Sequence, residues 1–173
     1  YSSQNQNGLR TSFQHQTKGG SYSLAPKVAT ANLLNDPLIG GGSTGRRSLI
    51  GSLTQAGTTV WYGDLYFRSP ATDPIYLFRI AEQYLIRAEA RIRRANLVGA
   101  LADINEVRSP ANLSVLTAAN IDITSAQALL LAIEEERRFE FLWEGDRWPD
   151  LVRTGRAKDV FQLEDYKLLL PIP

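Results

Sequence analysis

Beyond Pro74 the apolar positions fall into helical register. Leu77, Ile80, Ala81, Tyr84, Leu85, Ala88 and Ile92 recur at three- and four-residue steps, which predicts one helix with a single apolar stripe, ending at Arg94-Ala95-Asn96. Leu97, Ala100, Leu101, Ile104 and Val107 trace a second stripe, and Pro110 forbids its continuation because proline has no amide to donate. So short a turn sets the stripes face to face in an antiparallel, tetratricopeptide-like hairpin, and one such pair cannot bury both of its sides. Thr124 followed by Gln127 has the spacing of a capping box, so a third helix is expected there, with Ala126, Leu129, Leu130 and Ile133 as its packing face. Continued by helical steps, that face reaches Glu136, Arg137, Glu140 and Glu144, so the core stripe turns charged halfway along. Gly145 supplies a left-handed stop, Trp148-Pro149-Asp150-Leu151-Val152-Arg153 restarts a short helix with Gly155 after its end, and 168–173 closes as an extended, proline-bounded segment.

Residues 1–73 have another character. Gly, Ser, Thr, Gln and Asn dominate, and the expectation is irregular chain with short extended pieces at 49–53 and 60–67, where β-branched and aromatic residues gather. A loop-rich segment this long is uncommon in a compact domain unless it binds something or packs on a scaffold. The division is therefore 1–73, loop-rich, and 74–173, helical, within a length of 173 residues that suits one domain.

Charge and composition exclude several classes. Nineteen basic and eighteen acidic side chains give a net charge of +1, so no global field would gather nucleic acid. No apolar run is long enough to span a bilayer, and no signal peptide begins at Tyr1. The absence of cysteine removes thiolate metal sites and cysteine nucleophiles, and the single histidine, His15, reads as a solvated side chain among glutamines. Neither a metal nor a cofactor is expected.

Three local patterns invite chemistry. Carboxylates between 136 and 150 could serve glycoside hydrolysis, which uses two acids at a set separation. Their interleaving with Arg137, Arg138 and Arg147 argues instead for a partly buried ion-pair network of Glu136, Glu140 and Glu144 with those arginines, joined to Glu82 or Glu89 of the hairpin. Gly40-Gly41-Gly42-Ser43-Thr44-Gly45-Arg46-Arg47-Ser48 imitates a phosphate-binding loop, but Asn35-Asp36-Pro37 rather than a strand precedes it and Arg47 stands where lysine belongs, so a flexible surface loop is expected. Trp61, Tyr62, Tyr66 and Phe67 form the aromatic cluster of the loop-rich part. Such rings stack on the apolar face of a pyranose, although a strand packed on the helices explains the same residues and is the simpler reading; Trp143 and Trp148 are expected in the core.

Three stretches in this order carry a resemblance: Phe78-Arg79-Ile80-Ala81-Glu82-Gln83-Tyr84-Leu85-Ile86-Arg87-Ala88-Glu89-Ala90; then Ala100-Leu101-Ala102-Asp103-Ile104-Asn105-Glu106-Val107-Arg108; and Glu136-Arg137-Arg138-Phe139-Glu140-Phe141-Leu142-Trp143-Glu144-Gly145-Asp146-Arg147-Trp148-Pro149-Asp150-Leu151-Val152-Arg153, with Leu170-Pro171-Ile172-Pro173 at the end. Together they resemble the C-terminal region of the SusD/RagB family of outer-membrane nutrient-binding lipoproteins. The loop Arg108-Ser109-Pro110-Ala111-Asn112-Leu113 departs from the family's usual wording. The resemblance implies a mainly α fold of the αα-superhelix type, with tetratricopeptide-like hairpins and a loop-rich ligand-binding region. It also implies a place on the outer face of the outer membrane, anchored through a lipidated N-terminal cysteine that this chain lacks. The implied activity is non-catalytic binding of an oligosaccharide, or of peptide in RagB-like members, for delivery to a SusC-like TonB-dependent transporter. A helical-repeat module that binds only another protein would share the same hairpin.

Overall fold

The computed structural model describes residues 12–14, 25–66 and 73–168, and the expected 168–173 segment and Phe67 and His15 fall wholly or largely outside them. The architecture is mainly α, as the periodicity predicts, with one two-stranded sheet among the described residues. The first part is more regular than its composition suggests. Helix α1 (Val28–Asn35) buries Ala31 and Leu34, and Asp36 then caps the single turn α2 (Pro37–Gly40) by accepting from the Leu38 amide at 2.9 Å. Its Thr and Asn content hides α1 from propensity; packing against Ile50 and Phe139 is what holds it.

The glycine-rich stretch is not a flexible surface loop. It forms two 3-10 turns, Gly42–Thr44 and Arg46–Leu49, whose backbone lies directly on other backbone. A Cβ at Gly40 would stand 1.9 Å from the Leu34 carbonyl oxygen, and one at Gly41 would stand 1.9 Å from that of Ala111. Close approach of this kind is open only to glycine, and it turns Arg46 inward, where it is buried.

Strands β1 (Ile50–Gln55) and β2 (Thr58–Gly63) pair antiparallel from Ile50 opposite Gly63 to Gln55 opposite Thr58. Ala56 and Gly57, at φ 49° and 78°, make the two-residue turn whose left-handed backbone suits strand twist. That turn starts the second strand earlier than expected and ends it at Gly63.

Helix α3 (Ile80–Arg93) and helix α4 (Leu97–Arg108) form the expected antiparallel hairpin. Ala95 at φ 57° makes the turn, Asn96 caps α4 by accepting from the Gly99 amide, and Arg87 and Arg91 meet Asp103 across the pair. Leu85, Ala88, Ile92, Ala100, Ile104 and Val107 are buried between them. The stripe starts later than expected: Leu77 is 81% and Ile80 73% exposed, because the chain runs extended through Arg79 and turns helical only at Ile80.

Helix α5 (Ala126–Glu140) closes the hairpin with Leu129 and Ile133. Its cap is Ser125, accepting from the Ala128 amide at 3.2 Å, and not Thr124, whose amide and hydroxyl are both taken by Asp122. Gly145 is left-handed as expected, but α5 already ends at Glu140, and Trp143 takes a left-handed position before it. The indole NH donating to the Leu49 carbonyl at 2.9 Å holds Trp143 in that conformation. Helices α6 (Arg147–Arg153) and α7 (Ala157–Phe161) follow. Among the described residues no helix is long and apolar enough to cross a membrane.

Two apolar clusters result. One fills the space between α3, α4 and α5; the other gathers Ala31, Leu34, Ile50 and Phe139 under the sheet. Helix α5 belongs to both, and Glu136 lies between Ile133 of the first and Phe139 of the second. Gly41→Ala is expected to destabilise the chain by well over 2 kcal/mol, since it adds a backbone collision to left-handed strain. Gly42→Ala, at φ 73° but facing open space, should cost about 1 kcal/mol. Urea unfolding of the two variants checks the difference.

Candidate functional site

The charged continuation of α5 is the densest polar feature of the molecule. Glu136, 3% exposed, accepts from Arg46 Nη2 at 2.6 Å through one oxygen and from Arg108 Nη1 through the other. Glu140 accepts from Arg46 Nε at 3.0 Å and from Arg79 Nη2, and Arg79 Nη1 reaches Glu144 at 2.5 Å and the Glu140 carbonyl oxygen at 2.8 Å. Phe141 is buried with the Arg79 and Arg137 guanidinia 5.4 and 5.3 Å from its ring centroid. Burial raises the Glu144 carboxyl above its ordinary value, against the opposing pull of Arg79.

A second set of ion pairs joins the hairpin to α6. Glu89 accepts two parallel bonds from Arg153, both 2.8 Å, and one from Arg93 at 2.6 Å. The Arg153 hydrogen bonds, more than the counteracting burial, hold its carboxyl down at about 2 from an ordinary 4.5. Arg137 Nε lies 3.0 Å from Asp150 Oδ1, off the line of a hydrogen bond, and its Nη2 stands 3.7 Å from Glu82.

These contacts redraw the expected network. Glu136, Glu140 and Glu144 are drawn together through arginines that sequence reasoning missed: Arg46, Arg79 and Arg108. Arg138 stays local, pairing with Glu135 and lying 4.8 Å over the Phe139 ring, and Arg147 pairs with Glu134 at 3.2 Å; neither reaches the hairpin. Glu89 is met by Arg153, and only Glu82 is approached from α5, loosely, by Arg137.

The expected stacking cluster is also rearranged. Tyr62 is 4% exposed because its ring lies across its strand partner Gly51, where a Cβ would be 2.3 Å from the ring. Tyr66 is 1% exposed and stacks on Phe13 at 5.9 Å, with burial raising its phenol above the ordinary value. Rings so enclosed have no face for a ligand. Trp61 remains half-buried, with the Arg47 guanidinium 5.1 Å from its ring.

Beside the network a cavity of about 610 Å³ opens between the glycine turn, the start of α3 and the end of α4, with Tyr76 and Tyr84 in its walls and Arg79, Glu106, Glu140 and Glu144 among its polar groups. Hydrolysis by paired acids needs a protonated acid and a base facing one space. Glu136 and Glu140 each face two guanidinia instead. Among the described residues no group of three His, Cys, Asp or Glu side chains is placed to hold a metal ion.

A family model described as the SusD family matches residues 15–168. A SusD-like protein of Formosa agariphila is 37% identical over 98 residues, covering 53% of this chain and 20% of its own length. The starch-binding protein SusD of Bacteroides thetaiotaomicron is 41% identical over 98 residues, covering 57% of this chain and 16% of its own length. Among solved structures, a SusD superfamily protein from Bacteroides vulgatus superposes with a TM-score of 0.70 at 20% identity, over 90% of this chain and 39% of that one. The chain thus spans well under half of each of these relatives.

Glu136→Ala is expected to cost about 3–5 kcal/mol in urea unfolding, because it leaves the part-buried Arg108 guanidinium without its carboxylate and Arg46 with Glu140 alone; Arg138→Ala, which breaks a surface pair, should stay within about 0.5 kcal/mol. Acid tests the Glu89 pair. Its folded pKa lies below the unfolded value, so its contribution is complete above about 4.5 and disappears as pH falls through about 2. After allowance for solvent screening, wild type should exceed Glu89→Gln by about 1 kcal/mol at neutral pH and match it near pH 2, as thermal unfolding across that range would show.

Proposed function

The chain belongs to the SusD family, and from that premise we propose that it is part of a cell-surface capture protein that binds an oligosaccharide without cleaving it and passes it to a SusC-like TonB-dependent transporter. The observation that carries this reading is the family match across residues 15–168, supported by the similarity to a protein named for starch binding. On the same premise the whole protein works at the outer face of the outer membrane as a lipoprotein. The near-zero net charge suits an uncharged ligand, since neither electrostatic steering nor charge pairing would contribute to its capture. Capture for transfer calls for contacts that form and break without covalent steps, and stacking with hydroxyl hydrogen bonds supplies such contacts. The carboxylates beside the cavity serve here as acceptors and ion-pair partners, not as acid and base.

Of Trp61, Tyr62 and Tyr66, Trp61 is the one with exposed surface for a sugar ring. The full chain is expected to retain at least one oligosaccharide class on a glycan array, to release no new reducing ends on prolonged incubation with it, and to bind it more weakly by roughly 1 kcal/mol as Trp61→Ala with its unfolding midpoint preserved. Failure to retain any saccharide, or the appearance of reducing ends, would overturn the capture reading.

A further inference from the structure

We infer that the cavity between the first turn of α3 and the last turn of α4 is a saccharide-binding site, with Tyr76 and Tyr84 supplying ring surface and Glu106 and Glu144 accepting from sugar hydroxyls; the inference rests on the capture reading and gives it a location separate from Trp61. At about 610 Å³ the cavity is within the size range of small-ligand sites and exceeds that of about 490 Å³ between α3 and α6. Its walls combine apolar and aromatic surface with a few convergent polar groups, the composition of ligand sites.

The two tyrosines stand on either side of Ile80, one on the extended segment before α3 and the other a turn inside it. Each ring has a guanidinium over it, Arg79 at 5.9 Å from the Tyr76 centroid and Arg87 at 5.1 Å from that of Tyr84. The arginines that line the cavity, Arg46 and Arg79, are already bound to Glu136, Glu140 and Glu144, so they offer little to an anion. What the cavity presents instead is acceptor oxygen: Glu106 is exposed on α4, and Glu144 is held in position by Arg79. Acceptors beside ring faces match a ligand that donates from hydroxyls and is apolar on its ring faces. Of the two rings, Tyr76 is 49% exposed in the cavity wall and so is accessible to a ligand.

A glycan array of malto-, xylo-, manno- and β-gluco-oligosaccharides selects the saccharide that the full chain retains, and calorimetric titration with it compares wild type with Tyr76→Ala and Glu106→Gln. Tyr76→Ala is expected to lower affinity about tenfold and Glu106→Gln several-fold, with wild-type thermal midpoints for both and no change in wild-type affinity with added sodium chloride. Val98→Ser, exposed on α4 and outside the cavity lining, should bind as wild type. A wild-type chain that retains no saccharide sinks the capture reading and this site with it. A wild-type chain that binds while both variants bind equally well overturns the site alone. If the variants instead lose affinity for tetralysine, in a manner abolished by salt, the cavity takes basic peptide and the saccharide assignment is wrong.

Discussion

Glu136 sits where the two apolar clusters meet, and its carboxylate is bound by guanidinia from the glycine turn and from the end of α4. Desolvating one acid and two bases costs several kcal/mol per ion, and only close, hydrogen-bonded geometry offsets it. That requirement dictates much of the surrounding structure. Arg46 must be delivered from a turn that approaches α1 and the Ala111 carbonyl more closely than any residue with a Cβ allows, hence its glycines. Arg108 must occupy the last turn of α4, directly before the 3-10 turn Ser109–Ala111 that carries that carbonyl. The carboxylate is therefore a common constraint on the glycine turn, the hairpin and α5, which apolar contact alone would let slide because it has no direction.

The same arginines finish the end of α5. Arg79 donates to the Glu140 carbonyl, one of the acceptors that a helix C-terminus leaves unsatisfied, and its positive charge faces the negative end of the helix dipole. Anchored there, Arg79 keeps the preceding segment extended and starts α3 at Ile80. Leu77 and Phe78 on that segment are exposed, and Tyr76 lines the cavity with Arg79, Glu140 and Glu144, so the residues that finish α5 are also walls of the cavity.

How far the sequence reveals all this depends on the range of each interaction. The three long helices are legible because their period is local: Leu85, Ala88 and Ile92, then Ala100, Ile104 and Val107, declare themselves within a few turns. The change from aliphatic to charged residues along α5 is legible for the same reason. Its partners are not, since Arg46 is 90 residues from Glu136 and stands in a stretch whose glycines read as a surface loop. Register hides Tyr62 in a similar way: only the pairing of its strand with β1 reveals that Gly51 lies beneath the ring. At Thr124 the failure is one of competition, because Asp122 takes the groups that a capping box would use and passes the role to Ser125.

Glu89 and Glu144 show that pairing with arginine can leave two carboxyls shifted in opposite directions. Both are glutamates beside an arginine, yet the bidentate Arg153 bonds lower one carboxyl, while burial raises the other despite Arg79. For Glu89 the interaction favours the ion and opposes acid; for Glu144 the ionised form is the less favoured one in the folded chain, so its contribution is greatest below the unfolded value and declines as pH rises. A carboxylate that the fold only partly compensates gains from any additional donor, and a hydroxyl supplies one without the desolvation cost of a charge. An acceptor left in this condition, in a cavity walled by Tyr76 and Tyr84, favours a neutral, hydroxyl-bearing ligand over an ionic one. Under the capture function proposed above, tight binding would not serve transfer, and single hydrogen bonds of about 1 kcal/mol each are of the strength that lets a ligand be captured and released.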